Sequence, residues 1–191
     1  MKPETMKIAV YCGSASGNKP EYIEAAKRLG HYFAEQGIDL VYGGGKVGLM
    51  GTIADAVLEA GGQVFGFIPK ALEDKEIAHT GLTELTVVPD MHIRKAAMAD
   101  MADAFVAMPG GVGTFEEIFE AWTWAQLGYH TKPCAFYNVA GFYDPLFAMV
   151  DSVAESGFMK PEYIDMLIKT DQPEDLLEQI RSYQPPKKKW T

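Results

Sequence analysis

The sequence predicts an α/β fold, a doubly wound parallel sheet in a single domain over residues 1–191. Three observations carry that prediction. Short apolar runs alternate with stretches of helical spacing along the chain. The apolar runs are continuous rather than alternating, as in strands buried on both faces. Glycine-rich turns follow several of these runs, where a doubly wound sheet starts its helices.

The first apolar run, 7–12, ends in the turn-rich loop Gly13-Ser14-Ala15-Ser16-Gly17. Residues 21–36 form a helix, because Ile23, Ala26, Leu29 and Phe33 recur at three and four and Gly37 follows. A strand at 39–42 stops at Gly43-Gly44-Gly45, and an alanine-rich helix at 49–60 closes with Gly61-Gly62. The strand at 63–68 ends at Pro69, and a weaker helical stretch leads to a strand at 84–88. Asp90 is the candidate N-cap of a helix at 91–102. The run 104–108 is a strand, followed by Pro109-Gly110-Gly111-Val112-Gly113-Thr114 and a helix at 116–127. Thr114 and Glu117, three apart, match a capping box at that helix start. Strand 133–137, helix 144–156 and a last helix at 173–183 complete the order, which is that of a Rossmann-like sheet.

Composition narrows the function. The formal net charge is −9, so the surface repels nucleic acid at long range. A local nest of donors still accommodates one small anion. Cys12 and Cys134 are two thiols inside apolar runs and read as buried, reduced residues rather than a disulfide framework. The opening residues carry no apolar signal core, and no uncharged run reaches the roughly 18 residues of a membrane helix. A cytoplasmic chain with no membrane partner is expected. His31, His79, His92 and His130 lie far apart, so no metal site is expected. The lysines at 187–189 read as a solvated end.

Three loops carry the chemistry: 13–17, 43–51 and 109–114. Glycine lets a backbone approach an anion closely, and a following helix offers unpaired N–H groups and a positive dipole end. Together they predict a phosphate or nucleotide site. Gly43, Gly45 and Gly48 fit a dinucleotide spacing, but they follow the second strand, and the third strand ends without an acid for a ribose hydroxyl. Lys46 is followed by Val47, so no Walker lysine pattern is present. Those two facts disfavour an NAD-dependent oxidoreductase and a nucleotide triphosphatase. The candidate contacts from these loops are Gly13, Ser14, Gly45, Gly110, Gly111, Val112, Gly113 and Thr114, with Glu116 beside them. Glu117 is the candidate reactive acid. Arg94 and Lys95, at another strand-to-helix junction, read as an anion clamp.

Pro109-Gly110-Gly111-x-Gly113-Thr114-x-x-Glu117, Met91-His92-x-Arg94-Lys95, and Tyr42-Gly43-Gly44-Gly45 with Gly48-Leu49-Met50-Gly51 resemble the Lonely Guy family. Members are cytokinin riboside 5′-monophosphate phosphoribohydrolases, many of them misnamed lysine decarboxylases; nothing in this sequence suggests a pyridoxal phosphate site. The resemblance implies hydrolysis of the N-glycosidic bond of adenosine-type 5′-monophosphates, AMP included for some bacterial members, without a cofactor. It implies Arg94 and Glu117 as the catalytic pair, the 110–114 loop as the phosphate cradle, and nucleotide contacts at Lys95, Glu76 and Thr123. It also implies a homodimer with the site near the subunit interface, and Trp122 and Trp124 on one helix fit a second contact surface. Ile93 and Val112 depart from the residues usual in the family, an acid and an aromatic. The alternative is a non-catalytic module that holds a nucleotide or phosphate cofactor.

Overall fold

The computed structural model describes residues 5–73 and 77–187. Its order is β1 (Lys7–Tyr11), α1 (Pro20–Glu35), β2 (Asp39–Tyr42), α2 (Gly48–Glu59), β3 (Val64–Pro69), α3 (Lys70–Glu73), β4 (Glu84–Val88), α4 (Met91–Met101) and β5 (Ala104–Ala107). It continues with α5 (Val112–Leu127), β6 (Cys134–Tyr137), a 3-10 turn (Val139–Gly141), α6 (Asp144–Glu155), α7 (Pro161–Asp165), β7 (Ile168–Thr170) and α8 (Pro173–Ser182). The strands form one parallel sheet in the order β4-β3-β2-β1-β5-β6-β7.

Side chains of one strand alternate between the two faces of a sheet. In β1 and the residue after it, Ile8, Val10 and Cys12 enter one core with α1, α2 and α8. Ala9 and Tyr11 enter the other, with α4, α5, α6 and α7. Both faces are therefore covered, which explains why the strands read as unbroken apolar runs. Tyr22, Ala26, Leu29 and Phe33 form the buried stripe of α1.

The chain runs outward from β1 to β4 and then returns to β1's other side with β5. The reversal lies between β1 and β5, paired from Ile8↔Ala104 to Tyr11↔Ala107. Loops leaving these two strands part to opposite faces, which opens a crevice at their carboxyl ends. A contact at its base holds them together: the Gly13 N–H donates to the Pro109 carbonyl at 3.0 Å.

The structure corrects several sequence expectations. Helix α5 starts at Val112, not 116, and its N-cap is Gly111. Thr114 is thus inside the helix and buried, and the capping box with Glu117 does not form. The weak helical stretch is the single turn α3. Elements α7 and β7 were not expected. The first is barely more than a turn and the second is a three-residue edge strand, both too short to show a period. Of the basic run, Lys187 is exposed and 188–190 lie outside the described residues.

Asp90 does cap α4, its Oδ1 accepting from the Ile93 N–H at 2.9 Å. Asp90→Ala should therefore destabilise the protein by ~1 kcal/mol, read as a lower urea midpoint at unchanged slope.

Candidate active site

The crevice holds a cavity of about 330 Å³. One wall is the start of α5. A helix leaves its first N–H groups without intrahelical acceptors, and Gly111 at the N-cap has no side chain to accept from them. Gly111, Val112, Gly113 and Thr114 all line the cavity. A side-chain carbon added at Gly111 or Gly113 would meet nothing within 4 Å, so this wall faces open space. Gly110 is the opposite case. A Cβ there would lie 2.1 Å from Thr114 Oγ1 and 2.9 Å from the Gly13 nitrogen. Its missing side chain lets the loop fold back over the helix start. Gly13 and Ser14, from the loop after β1, line the same space. The arrangement offers an anion a cradle of main-chain amides at a positive dipole end.

The loop between β2 and α2 has a different task. The Gly13 carbonyl accepts from the Leu49 and Met50 N–H groups at 3.1 and 3.3 Å, so the start of α2 is taken by the β1 loop. The Gly45 carbonyl accepts from the Tyr42 hydroxyl, and Gly45 bridges to Ala78. Gly45, expected among the ligand contacts, is not among the residues lining the cavity. Of the three glycine loops, those at 13–17 and 109–114 put glycines on the cavity wall, and the one at 43–51 puts Met50 there.

Arg94 enters from the first turn of α4. It is only 4% exposed, yet it lines the cavity. Its Nη2 donates to the Gly43 carbonyl at 2.8 Å, and a Cβ at Gly43 would stand 2.0 Å from that nitrogen. Glycine is needed there so that the guanidinium can pass. Glu117, in the second turn of α5, lines the cavity as well. Its charge reaches β1: burial first, then Glu117, pushes the Cys12 thiol up, and the same two causes raise the Tyr11 phenol. A carboxylate and a guanidinium thus share one cleft with an anion cradle.

Lys95 is paired with two acids of α5. Its ammonium lies 2.5 Å from Glu116 and 2.7 Å from Glu120. Burial acts to lower its pKa, but the hydrogen bonds and charges of the two carboxylates outweigh it, and the pKa is raised. Glu116 borders the cavity; Lys95 and Thr123 do not, and Thr123 is exposed on α5. Lys95 thus stands behind a lining residue, Glu116, and Thr123 is apart from the cavity wall. Glu76 lies outside the described residues. The sequence reading missed Cys12, Met50, Leu72 and Met91 as lining residues. Met50 and Met91 sit inside the quoted motifs and were within reach; Leu72 gave no signal.

Among the described residues, no three His, Cys, Asp or Glu gather to hold a metal ion, and no helix is long and apolar enough to cross a membrane. The family model described as "possible lysine decarboxylase" matches residues 50–180. A cytokinin riboside 5′-monophosphate phosphoribohydrolase of Arabidopsis thaliana is 47% identical over 184 residues, covering 96% of this chain and 85% of that one. The chain belongs to the Lonely Guy family. A phosphoribohydrolase of the same name from Oryza sativa is 46% identical, over 94% of this chain and 74% of its own. Solved structures with the same fold include a molybdenum cofactor binding protein from Rippkaea orientalis, at 21% identity and a TM-score of 0.71 over 95% of this chain and 98% of that one. A molybdenum cofactor carrier protein of Chlamydomonas reinhardtii gives 18% and 0.70, over 93% and 97%.

Cys12 lines the cleft but should be inert. A raised thiol pKa leaves little thiolate at pH 8, and Cys134 is buried with its pKa raised by desolvation. Neither thiol should react with Ellman's reagent within minutes in native protein, and both should react in urea. Rapid labelling of one equivalent without denaturant would contradict this.

Proposed function

We propose that this protein hydrolyses the N-glycosidic bond of adenosine-type nucleoside 5′-monophosphates, N6-modified cytokinin riboside monophosphates and AMP, to free base and ribose 5-phosphate. The observation that carries the reading is one cleft lined by Glu117, Arg94 and the open start of α5. The relatives named above are, by name, phosphoribohydrolases of cytokinin riboside 5′-monophosphates.

Hydrolysis moves the electron pair of the C1′–N9 bond onto the base, which takes up a proton, while a water oxygen bonds to C1′. Positive charge builds on the ribose ring as the bond stretches. The amides at the start of α5, with the Thr114 hydroxyl, bind the 5′-phosphate. Arg94, anchored on the Gly43 carbonyl, holds ribose or phosphate oxygens and fixes the sugar against Glu117. Glu117 stabilises the ring charge and orients the attacking water. No cofactor takes part.

We propose a homodimer too. An apolar groove of about 500 Å³ runs between α5 and α6 and is lined by Phe115, Phe119, Leu146, Met149 and Val153, with Met149 70% exposed. A second copy covering it would contact Phe115 and Phe119, each two residues from Glu117 on α5. The acidic charge fits a small-molecule partner rather than nucleic acid. Two buried, unbridged thiols fit a cytoplasmic location.

Incubation with AMP and with N6-isopentenyl-AMP, followed by chromatography, should yield free base and ribose 5-phosphate. Saturable binding without product would leave a nucleotide-holding module instead. Glu117→Gln should keep the fold and lower turnover by about 100-fold or more. Arg94→Ala should also reduce turnover strongly; an unchanged rate would remove Arg94 from the pair. Sedimentation at micromolar concentration should give a dimer, and a stable monomer would reject the interface.

A further inference from the structure

His79 is 6% exposed and takes no part in the reaction proposed above. We propose that it is a positioning residue: its ring locks residues 77–81 against α2, and that segment braces the glycine loop whose Gly43 carbonyl holds Arg94. The proposal rests on the N-glycosidase reading above.

The brace is a short ladder between distant parts of the chain. Gly45 and Ala78 form an antiparallel bridge. On one side of it the Lys46 N–H donates to the Ile77 carbonyl at 2.9 Å, and on the other the His79 N–H donates to the Gly44 carbonyl at 2.9 Å. The loop needs such support. Gly43, Gly44 and Gly45 lack the side chains that narrow backbone choice, and Gly44 sits at φ +80°. One residue before the ladder, the Gly43 carbonyl accepts from Arg94 Nη2 at 2.8 Å. A displaced ladder therefore moves the anchor of a proposed catalytic group. The same segment reaches the cavity wall by a second route. The Ala78 N–H donates to the Glu73 carbonyl at 3.1 Å, and Leu72, next in the chain to Glu73, lines the cavity.

The ladder segment does not hold this shape by local preference. Ile77, a β-branched residue, stands at φ +48°, in the left-handed region such residues avoid. Contacts from outside have to offset that strain, and the His79 ring supplies two. A main-chain N–H can only donate, so the Gly81 N–H at 3.0 Å makes Nδ1 the acceptor. Nε2 carries the proton and donates to Asp55 Oδ1 at 2.7 Å. Asp55 lies on α2, the helix that follows the glycine loop. The main chain of His79 thus holds the loop, and its ring holds the helix the loop leads into.

Steady-state kinetics with N6-isopentenyl-AMP test the latch, at a temperature where far-UV circular dichroism shows each variant folded. His79→Asn keeps an acceptor near the Nδ1 position but loses the donor to Asp55. Its kcat should fall fivefold or more, with KM within threefold of wild type. His79→Gln carries an amide donor out to the Nε2 position and should exceed His79→Asn in kcat at least threefold. His79→Gln no more active than His79→Asn would overturn the hydrogen-bonded latch. A KM raised tenfold with kcat retained would make His79 a contributor to binding and overturn positioning. A lower urea midpoint with kcat and KM unchanged would leave a purely structural histidine and overturn the proposal as well. Asp55→Ala removes the acceptor from an exposed site on α2 and should lower kcat at least threefold at constant KM. The double variant should lie within twofold of His79→Asn; losses that multiply would show two independent effects and overturn the coupling. A wild-type kcat in Asp55→Ala overturns the latch even where the His79 variants fail to fold. A wild-type chain that releases no base overturns the N-glycosidase reading and the latch with it. Active wild type with unaffected variants overturns the latch alone.

Discussion

The hydrogen bond from the Gly13 N–H to the Pro109 carbonyl joins the loops that leave β1 and β5. The rest of the site depends on it. Its physical setting is the reversal of strand order between β1 and β5, where loops diverge to opposite faces and leave a crevice. The same Gly13 residue uses its carbonyl to occupy the start of α2. One residue thus ties three elements together, and the start of α5 is the helix end left facing the cavity. Gly110 makes the arrangement compact, because any side chain there would strike Thr114.

An acidic chain that binds an anionic ligand has to solve an electrostatic problem locally. Net charge acts at long range and is screened within about 8 Å at physiological salt. The cradle amides, the dipole of α5 and the Arg94 guanidinium act at contact distance in a partly desolvated cleft. Contact terms dominate there. The dense acids of α5 oppose an anion, and Lys95 offsets two of them, Glu116 and Glu120, in ion pairs.

The same sheet carries other cargo. The molybdenum cofactor proteins share the fold at about one residue in five, which shows a common scaffold and no more. In the proposed reaction the decisive group is an acid beside the sugar. Here Glu117 stands in the second turn of the cradle helix, with Arg94 in the same cavity. Family membership rests on sequence identity near one half over almost the whole chain, a separate line of support from the shared fold.

By itself the sequence determined the sheet, its parallel strands and the order of nearly all helices, because burial period and turn residues are local signals. It also determined the family, through Pro109-Gly110-Gly111-Val112-Gly113-Thr114 and the Arg94-Lys95 pair, and with it the candidates Arg94 and Glu117. Only the tertiary structure decided where α5 begins, and so removed Thr114 and Glu117 from a capping box. It alone showed that Gly45 and Thr123 are not among the lining residues, that Leu72 is, and that Lys95 pairs with Glu116 and Glu120. These are pairings between segments far apart in the chain, such as Lys95 with Glu120 or Gly13 with Pro109. Such pairings depend on how two helices and two loops are set across a sheet, and no local pattern of residues encodes that.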